Sequence, residues 1–280
     1  MTDIKISNIK ITNPDKILYK KDKIKKIDII KYYEDISSLM LPYLKNRLLA
    51  VIRCHQGIND NCFFKKHPTT DGDNVEIFNL DSEEYFYIKN KSQLINQAQL
   101  GTIEFHPWPS TINKIDKPNF MIFDLDPATN LEIEKIRQGA LNLKSVLDEL
   151  NLKSFIKTSG GKGYHIVVPF SSCKNWDRFS EFSMQIARLM EMKWPKLYTT
   201  NIRKSERKNK IFIDYLRNKK GSTCVCAYSL RARDGASISM PIDWDDINKI
   251  TPNEVNINNY KNYISKNPWK DIFSVKQTLK

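Results

Sequence analysis

Long apolar runs are absent from this sequence of 280 residues, which argues against a membrane protein. No stretch approaches the roughly 18 apolar residues that a membrane-spanning helix requires. The N-terminal segment MTDIKISNIK lacks the apolar core of a secretory signal peptide. We therefore expect a cytoplasmic protein that has no membrane among its partners.

Cysteine is scarce as well. Five cysteines, irregularly spaced and odd in number, argue against a secreted disulfide framework: Cys54, Cys62, Cys173, Cys224 and Cys226. One group combines residue types that suit zinc but contains no Cys-x2-Cys pair: Cys54, His55, Cys62 and His67. We interpret this group as core or substrate-facing residues.

Acidic residues are few relative to basic ones. Lys and Arg number 45 against 32 Asp and Glu, which gives a net charge of +13 and a pI near 9.3. Residues 1–31 hold nine lysines against four aspartates, and residues 201–220 hold eight basic residues against Glu206 and Asp214. This balance favours a polyanionic partner, most simply nucleic acid, with an acidic membrane surface as the second choice. A general abundance of lysine and asparagine in the source's proteins would give the same charge.

No linker rich in proline, glycine or serine divides the chain. Hydrophobic periodicity predicts these elements: helix 24–41, strands 48–53 and 84–89, helix 91–100, strand 119–125, helix 133–150, strands 153–159 and 164–170, helix 179–189 and strand 210–216. From residue 119 onward the order is strand, helix, strand, strand, helix, strand. This is the order of a split β-α-β, ferredoxin-like sheet, so we predict an α+β fold.

Two aspartates stand one residue apart in the segment MIFDLDP. Alternate strand residues point to the same face, with Cα atoms about 6.5–7 Å apart, so Asp124 and Asp126 project together. Carboxylates at that spacing can bridge two divalent ions for phosphoryl transfer. A strand that simply ends in a solvated turn is the alternative.

A third aspartate interrupts another apolar strand, in IFIDYLRN. An ionised carboxylate there must be paired or metal-bound. The strand of Asp214 can lie beside that of Asp124 and Asp126, so that three acids converge on one sheet face. A salt bridge from Asp214 to a nearby Arg or Lys is the structural alternative.

A glycine-rich turn, KTSGGKGYHIVVP, joins two of the predicted strands. It lacks the spacing of a Walker P-loop, but its residues are of the types that hold a phosphate through backbone N–H groups, a hydroxyl and a cation: Ser159, Gly160, Gly161, Lys162 and Gly163. His165 lies on the strand that follows. A lone strand histidine is more often structural, but beside this turn it could donate to a triphosphate oxygen.

Three segments in this order, FDLDP, TSGGKGYHIVVP and FIDYLRN, resemble the motifs of the archaeo-eukaryotic primase superfamily. More closely, the chain is similar to the polymerase domain of bacterial ligase D and its stand-alone end-joining relatives, from NPDK through EFHPWPS to AYSLRARDGASISMPIDW. The resemblance implies a primase-polymerase fold, with a split β-α-β (RRM-like) catalytic sheet packed on an N-terminal α/β module. We expect a single catalytic domain, with that module over about 1–110, the catalytic module over about 111–250 and a tail over 251–280.

The same resemblance implies roles for individual residues. Asp124, Asp126 and Asp214 would hold two cofactor ions, Mn²⁺ or Mg²⁺, and act in catalysis. The implied nucleotide-binding residues, with His106 at the sugar and Arg231 at the triphosphate, are Ser159, Gly160, Lys162, His165, His106, Arg231, Arg233 and Arg217. The implied DNA-binding residues, with two lysines at a 5′-phosphate and two aromatics stacking near the templating base, are Lys16, Lys26, Asn13, Arg53, Phe63, Phe64 and Arg207.

The implied function is that of a DNA-dependent nucleotidyltransferase, a polymerase of non-homologous end joining. It would add nucleotides, preferably ribonucleotides, to 3′-hydroxyl ends at gaps or breaks that bear a 5′-phosphate. Its partners would be nucleoside triphosphates, a separate ATP-dependent DNA ligase and a Ku-type end binder, and it would associate with the nucleoid. Two alternatives stay open: a primase-like enzyme that starts chains on single-stranded DNA, and a non-catalytic module that bridges DNA ends. The three aspartates favour an enzyme.

Overall fold

The computed structural model describes residues 4–68, 74–171 and 174–279, and Cys173 lies outside these ranges. Within them, no helix combines the length and the apolar character needed to cross a membrane. The chain forms two compact units. The first unit consists of Met1–Trp108, Val225–Ser239 and Val255–Ile264, and the second of Pro109–Cys224, Met240–Glu254 and Ser265–Lys280.

The described residues of the first unit form short strands and three α-helices. Its helices are α1 (Lys26–Asp35), α2 (Ser37–Leu44) and α3 (Lys91–Gln99). Its strands are β1 (Lys5–Ile6), β2 (Ile9–Lys10), β3 (Ile17–Tyr19), β4 (Ile24–Lys25), β5 (Leu49–Arg53), β6 (Phe63–Lys65), β7 (Glu76–Leu80), β8 (Glu83–Tyr87) and β9 (Thr102–Pro107). The single helix expected over 24–41 is two helices, because Ile36 leaves the helical region with φ −88° and ψ 2°.

A three-stranded sheet in the order β6-β5-β9 organises the first unit. Its central strand β5 is almost wholly buried. Ala50 on β5 pairs with His106 on β9, and Ile52 pairs with Glu104. Because alternate strand residues share a face, Glu104 and His106 project to the same side of the sheet.

The second unit is built on a six-stranded sheet with two helices. The helices are α4 (Ile133–Glu149) and α5 (Trp176–Lys193). The strands are β10 (Phe120–Pro127), β11 (Phe155–Thr158), β12 (Tyr164–Pro169), β13 (Tyr198–Thr199), β14 (Ile211–Asp214) and β15 (Pro241–Ile242). Their order in the sheet is β13-β14-β10-β12-β11-β15. The inner order β14-β10-β12-β11 is that of the predicted split β-α-β sheet.

The alternation along β10 separates a core face from a polar face. Phe123 and Leu125 are fully buried, and Leu125 lies close to Gly139 of α4. Along α4 the apolar residues Ile136, Ala140, Leu143 and Leu147 are buried, whereas Leu150 follows the end of the helix and is exposed. The helices therefore cover one face of the sheet, and the aspartates of β10 project from the other.

We predict that Gly163→Ala destabilises the second unit. A Cβ atom at this position would overlap the carbonyl oxygen of Leu125, on the strand that carries the aspartates. Backbone cannot move aside as cheaply as a side chain, so we expect a loss of about 1–3 kcal/mol in the free energy of unfolding, measured by chemical denaturation.

Gly139→Ala provides the matched control. Its added Cβ would meet mainly the end of the Ile211 side chain, at 2.8 Å, which can rotate, and alanine is favoured over glycine in a helix. The control should change stability by less than about 1 kcal/mol. Equal losses in the two variants would contradict the close approach of Gly163 to the Leu125 carbonyl.

Candidate active site

A row of polar side chains crosses the sheet of the second unit. Lys157 on β11 pairs with His165 on β12, His165 pairs with Asp124 on β10, and Asp124 pairs with Asp214 on β14. Residues directly opposite each other on neighbouring strands share a face. The structure thus brings Asp214 next to Asp124, as the sequence predicts, and Asp126 projects from the same face two residues further on.

Arginines accompany all three acids. Arg217 Nε lies 3.1 Å from Asp214 Oδ2, and Arg217 Nη2 lies 3.9 Å from Asp124 Oδ2. Arg207 Nη1 donates to Asp126 Oδ2 at 2.7 Å. The salt bridge considered as an alternative for Asp214 therefore exists in this structure, alongside the pairing of Asp214 with Asp124.

The surroundings shift the pKa values of Asp214 and Asp124 in opposite directions. Burial raises the pKa of Asp214 above its ordinary value, and Asp124 adds to this effect while Arg217 opposes it. Burial also acts to raise the pKa of Asp124, but His165 and Arg217 outweigh it and hold that pKa well below the usual range. Asp124 is therefore a carboxylate at neutral pH, with Arg217 on one side and His165 on the other.

His165 is fixed by partners that the sequence did not indicate. Its Nδ1 lies 2.8 Å from Lys157 Nζ and 3.3 Å from Cys224 Sγ, and its Nε2 lies 3.3 Å from Asp124 Oδ1. Because a lysine ammonium only donates, Nδ1 accepts and the ring proton on Nε2 faces Asp124. Burial acts to raise the pKa of the Cys224 thiol, but His165 and Lys157 lower it to about 7. The sequence feature that could have indicated such a partner is Lys157, a lysine placed inside the predicted strand KSFIKTS.

The glycine-rich turn has an internal organisation of its own. Ser159 Oγ accepts from the N–H groups of Gly161 and Gly163, at 3.0 and 3.2 Å, and Gly160 has a φ of 66°. Ser159 therefore shapes the turn from inside, where it is buried. Lys162 is exposed at its tip.

A cavity of about 360 Å³ lies beside this turn, and its charged lining residues are Asp126, Lys162, Lys204, Arg207 and Lys208. The cations suit a phosphate-bearing ligand next to Asp126. Arg207 itself points inward: its guanidinium stacks 3.9 Å from the ring centroid of Phe212 and donates to the carbonyl of Ile202. In this structure the guanidinium of Arg207 therefore contacts Phe212, Ile202 and Asp126 of the protein itself.

A second polar cluster belongs to the first unit. Glu104, which the sequence analysis did not single out, lies between His106 and Arg231: its Oε2 is 2.9 Å from His106 Nε2 and 3.0 Å from Arg231 Nε. The predicted sugar-binding and triphosphate-binding residues are therefore brought together. Arg233 is exposed, and its N–H donates to the carbonyl of Arg231.

The predicted 5′-phosphate residues also lie together in the first unit. The N–H of Lys26 donates to the carbonyl of Lys16 at 2.8 Å, and the N–H of Lys16 donates to that of Asn13. The ammonium of Lys26 donates to the carbonyl of Thr12. Burial and the neighbouring charge of Lys16 lower the pKa of Lys26 to about 8. Two lysines therefore lie close together here, and Lys26 is itself largely buried, with 7% of its surface exposed.

Phe63 and Phe64 are exposed on the short strand β6. The ring of Phe64 stands edge-on to that of His106, with 6.3 Å between centroids. Arg53, predicted at the DNA, is instead 5% exposed and donates to Gln97 and Thr102. This placement favours a structural role for Arg53.

The residues considered for zinc have other partners. Cys54 and Cys62 form a disulfide bond across the loop between β5 and β6. The two cysteines are separated by eight positions in the sequence, and their Cα atoms lie 4.3 Å apart. The irregular spacing of the cysteines could not indicate this proximity. His67 Nδ1 contacts the carbonyl of Glu84. The disulfide removes both cysteines as zinc ligands.

Carboxylate oxygens of the row suit a hard divalent cation such as Mg²⁺ or Mn²⁺. No three His, Cys, Asp or Glu side chains of the described residues lie close enough to hold one ion between them. Such an ion, however, usually keeps waters and takes one or two carboxylates together with substrate phosphates. Asp124 with Asp126 or Asp214 fits that requirement, and an ion there would compete with Arg207 and Arg217.

Residues 25–273 match a family model described as LigD, primase-polymerase domain. The chain is 27% identical over 291 residues to the multifunctional non-homologous end joining protein LigD of Pseudomonas aeruginosa, covering 98% of this chain and 34% of that protein. It is 32% identical over 247 residues to the bifunctional non-homologous end joining protein LigD of Bacillus subtilis, covering 87% and 40%. The chain thus spans between a third and two-fifths of the length of these relatives.

The fold has a counterpart among solved structures. The polymerase domain from Mycobacterium tuberculosis ligase D, in complex with DNA, matches with a TM-score of 0.87 at 22% identity, over 95% of this chain and 98% of that one. This likeness confirms the predicted α+β primase-polymerase fold.

We predict that Arg217→Gln lowers the free energy of unfolding by about 1–2 kcal/mol in the presence of a chelator. The change removes a cation from two carboxylates that face each other, and like charges directly opposite on paired strands are destabilising. We expect only a moderate loss of stability, because Arg217 is partly exposed and solvent exposure weakens an ion pair. Urea denaturation measures it.

Two further variants test this interpretation. Arg178→Gln breaks an exposed pair with Glu181 on α5 and should cost less than about 0.5 kcal/mol. Asp214→Asn, added to Arg217→Gln, should restore most of the lost stability because it removes one of the two like charges. A double variant as unstable as the single one would refute the electrostatic origin of the loss.

Proposed function

This chain belongs to the LigD primase-polymerase domain family, as its motifs predict, and on that premise we propose that it is a template-directed nucleotidyltransferase of non-homologous end joining. It adds nucleotides, preferably ribonucleotides, to 3′-hydroxyl ends at gaps or breaks that bear a 5′-phosphate. The observation that carries the proposal is the polar row, in which Asp124 and Asp214 face each other beside His165. The proposed partners are a separate ATP-dependent DNA ligase and a Ku-type end binder.

Asp124, Asp126 and Asp214 are proposed to hold two divalent ions, Mn²⁺ or Mg²⁺. When bound, such ions would activate the attacking 3′-hydroxyl and stabilise the leaving diphosphate. The low pKa of Asp124 supports this role, because a ligand must be deprotonated. His165 turns its Nε2 proton to Asp124 and keeps that carboxylate oriented.

The cations around the acids are proposed to receive the triphosphate. Lys162 is exposed at the tip of the turn, and Lys204 and Lys208 line the same cavity as Asp126. In the first unit, the exposed ring of Phe64 is proposed to stack on a base. Such stacking contributes about 1–3 kcal/mol per base without regard to sequence.

The experiment that tests the function is extension of a gapped duplex carrying a 5′-phosphate, with Mn²⁺ and all four ribonucleotides. Wild type should extend the 3′ end, and Asp124→Asn/Asp126→Asn should lose at least about a hundredfold in rate, since a bound metal contributes several kcal/mol to the transition state. The double variant should also lose the rise in melting temperature that Mn²⁺ gives the wild type. Asp148→Asn, an exposed acid on α4, is the control.

The same assay separates the alternatives. A non-catalytic end-bridging module would bind gapped DNA in a salt-dependent way without extending it in any variant. A primase-like enzyme would start chains on single-stranded template without a primer. Undiminished extension by the double aspartate variant would refute the catalytic assignment.

We predict that the benefit of a 5′-phosphate falls as the pH rises through about 8. Lys26 loses its charge near that pH, whereas an ordinary lysine stays charged until about pH 10.4. Phosphate binds the charged form, so the ratio of affinities for gapped DNA with and without the phosphate should shrink between about pH 7 and 9. Fluorescence anisotropy at constant ionic strength measures the ratio.

Lys26→Arg is the matched variant, because arginine remains charged throughout this range. Its affinity ratio should be flatter with pH than that of the wild type. A wild-type ratio that stays constant to pH 9 would remove Lys26 from the 5′-phosphate site.

A further inference from the structure

Glu104 is a buried carboxylate with an unusual set of partners. It lies on β9 with 2% of its surface exposed, and its Oε2 contacts both His106 Nε2 and Arg231 Nε, at 2.9 and 3.0 Å. Its Oε1 accepts from the N–H of Ala232 at 2.8 Å. Both carboxylate oxygens are therefore engaged, and rotation of the carboxylate would break contacts on either side.

The cluster holds a full charge inside the first unit. Burial acts to raise the pKa of Glu104, but contacts with His106 and Arg231 outweigh it and lower the pKa to about 2. Glu104 is therefore ionised at any physiological pH. A buried ion pair adds little net stability compared with well-packed apolar residues, so stability alone is a weak reason for this arrangement.

The cluster also connects two segments that lie far apart in the sequence. His106 follows Glu104 by two residues and projects from the same face of β9, whereas Arg231 and Ala232 come from a segment more than a hundred residues later. The carbonyl of Arg231 is held in turn by the hydroxyl of Tyr19 at 2.8 Å. The backbone and the side chain of Arg231 are thus both anchored.

We propose that Glu104 is a positioning residue that fixes His106 and Arg231 as one recognition unit for the incoming nucleotide. The inference rests on the proposed function and on the roles that the family resemblance implies, with His106 at the sugar and Arg231 at the triphosphate of the same nucleotide. A shared oxygen sets the distance between the two side chains before the nucleotide binds. Preorganisation of this kind lowers the entropic cost of binding, and it couples recognition of the sugar to that of the phosphates.

The test is Glu104→Gln, which keeps the shape and an oxygen for Ala232 N–H but removes the charge. The equilibrium affinity for ATP, measured by calorimetry with Mn²⁺ present, should fall by about tenfold or more, and KM for the ribonucleotide should rise similarly while kcat changes less. The preference for ribonucleotide over deoxyribonucleotide should also shrink. Glu84→Gln, an exposed position on β8, is the matched control and should bind like the wild type.

A double-variant cycle distinguishes positioning from direct contact. Because Glu104 acts through Arg231 as well as through His106, the loss of ATP affinity in Glu104→Gln/Arg231→Gln should be clearly smaller than the sum of the two single losses. Fully additive losses would overturn the proposal, as would a Glu104→Gln protein with wild-type affinity and sugar preference.

Folding is checked by thermal unfolding and by the fraction of ATP-binding sites found in calorimetry. If Glu104→Gln folds poorly, Glu104→Asp keeps the charge while withdrawing it from both partners, and it should show the same loss of affinity per folded molecule. Losses that match only the unfolded fraction would overturn the proposal. ATP binding is measured without DNA, so failure of the wild type to extend DNA would refute the proposed function and leave this test in force.

Discussion

The pairing of Asp124 with Asp214 across two antiparallel strands is the constraint on which the second unit depends. Like charges directly opposite in a sheet repel, and burial increases the cost of each charge. Neighbouring donors offset this cost: Arg217 contacts both carboxylates, and His165 contacts Asp124 from the other side. Lys157, one strand further away, in turn fixes His165. The polar row therefore includes a residue from each of four strands, β11, β12, β10 and β14.

Each of the two units contains buried carboxylate charge, and each compensates that charge with its own residues. In the second unit, a carboxylate pair is held on a sheet whose opposite face is covered by helices, and Arg217 contacts both of its members. In the first unit, Glu104 is buried on β9 and satisfied by His106, Arg231 and a backbone N–H. In both units, a buried acid fixes the positions of the cations around it.

Much of this fold could be predicted from the sequence. The strand order followed from apolar periodicity, and the convergence of Asp214 on Asp124 followed from that order, because both depend on local patterns. The partners of these acids did not follow. The contacts of Arg207 with Asp126, of Lys157 with His165 and of Glu104 with Arg231 join residues through tertiary structure, and nothing in the local spacing of charges indicates which cation reaches which acid. The burial of Arg53 did not follow either, since its contacts with Gln97 and Thr102 are tertiary.

Charge balance links the acid row to its proposed ligands. Asp126 is paired with Arg207, and Asp124 and Asp214 share Arg217, so divalent ions alone would add positive charge where cations already stand. Two divalent ions and a nucleoside triphosphate carry nearly equal and opposite charge, and bound together they leave the local balance almost unchanged. The ions would then occupy the carboxylates while the released guanidinium groups turn to the phosphates. In the proposed function, metal and nucleotide therefore bind more favourably together than either does alone.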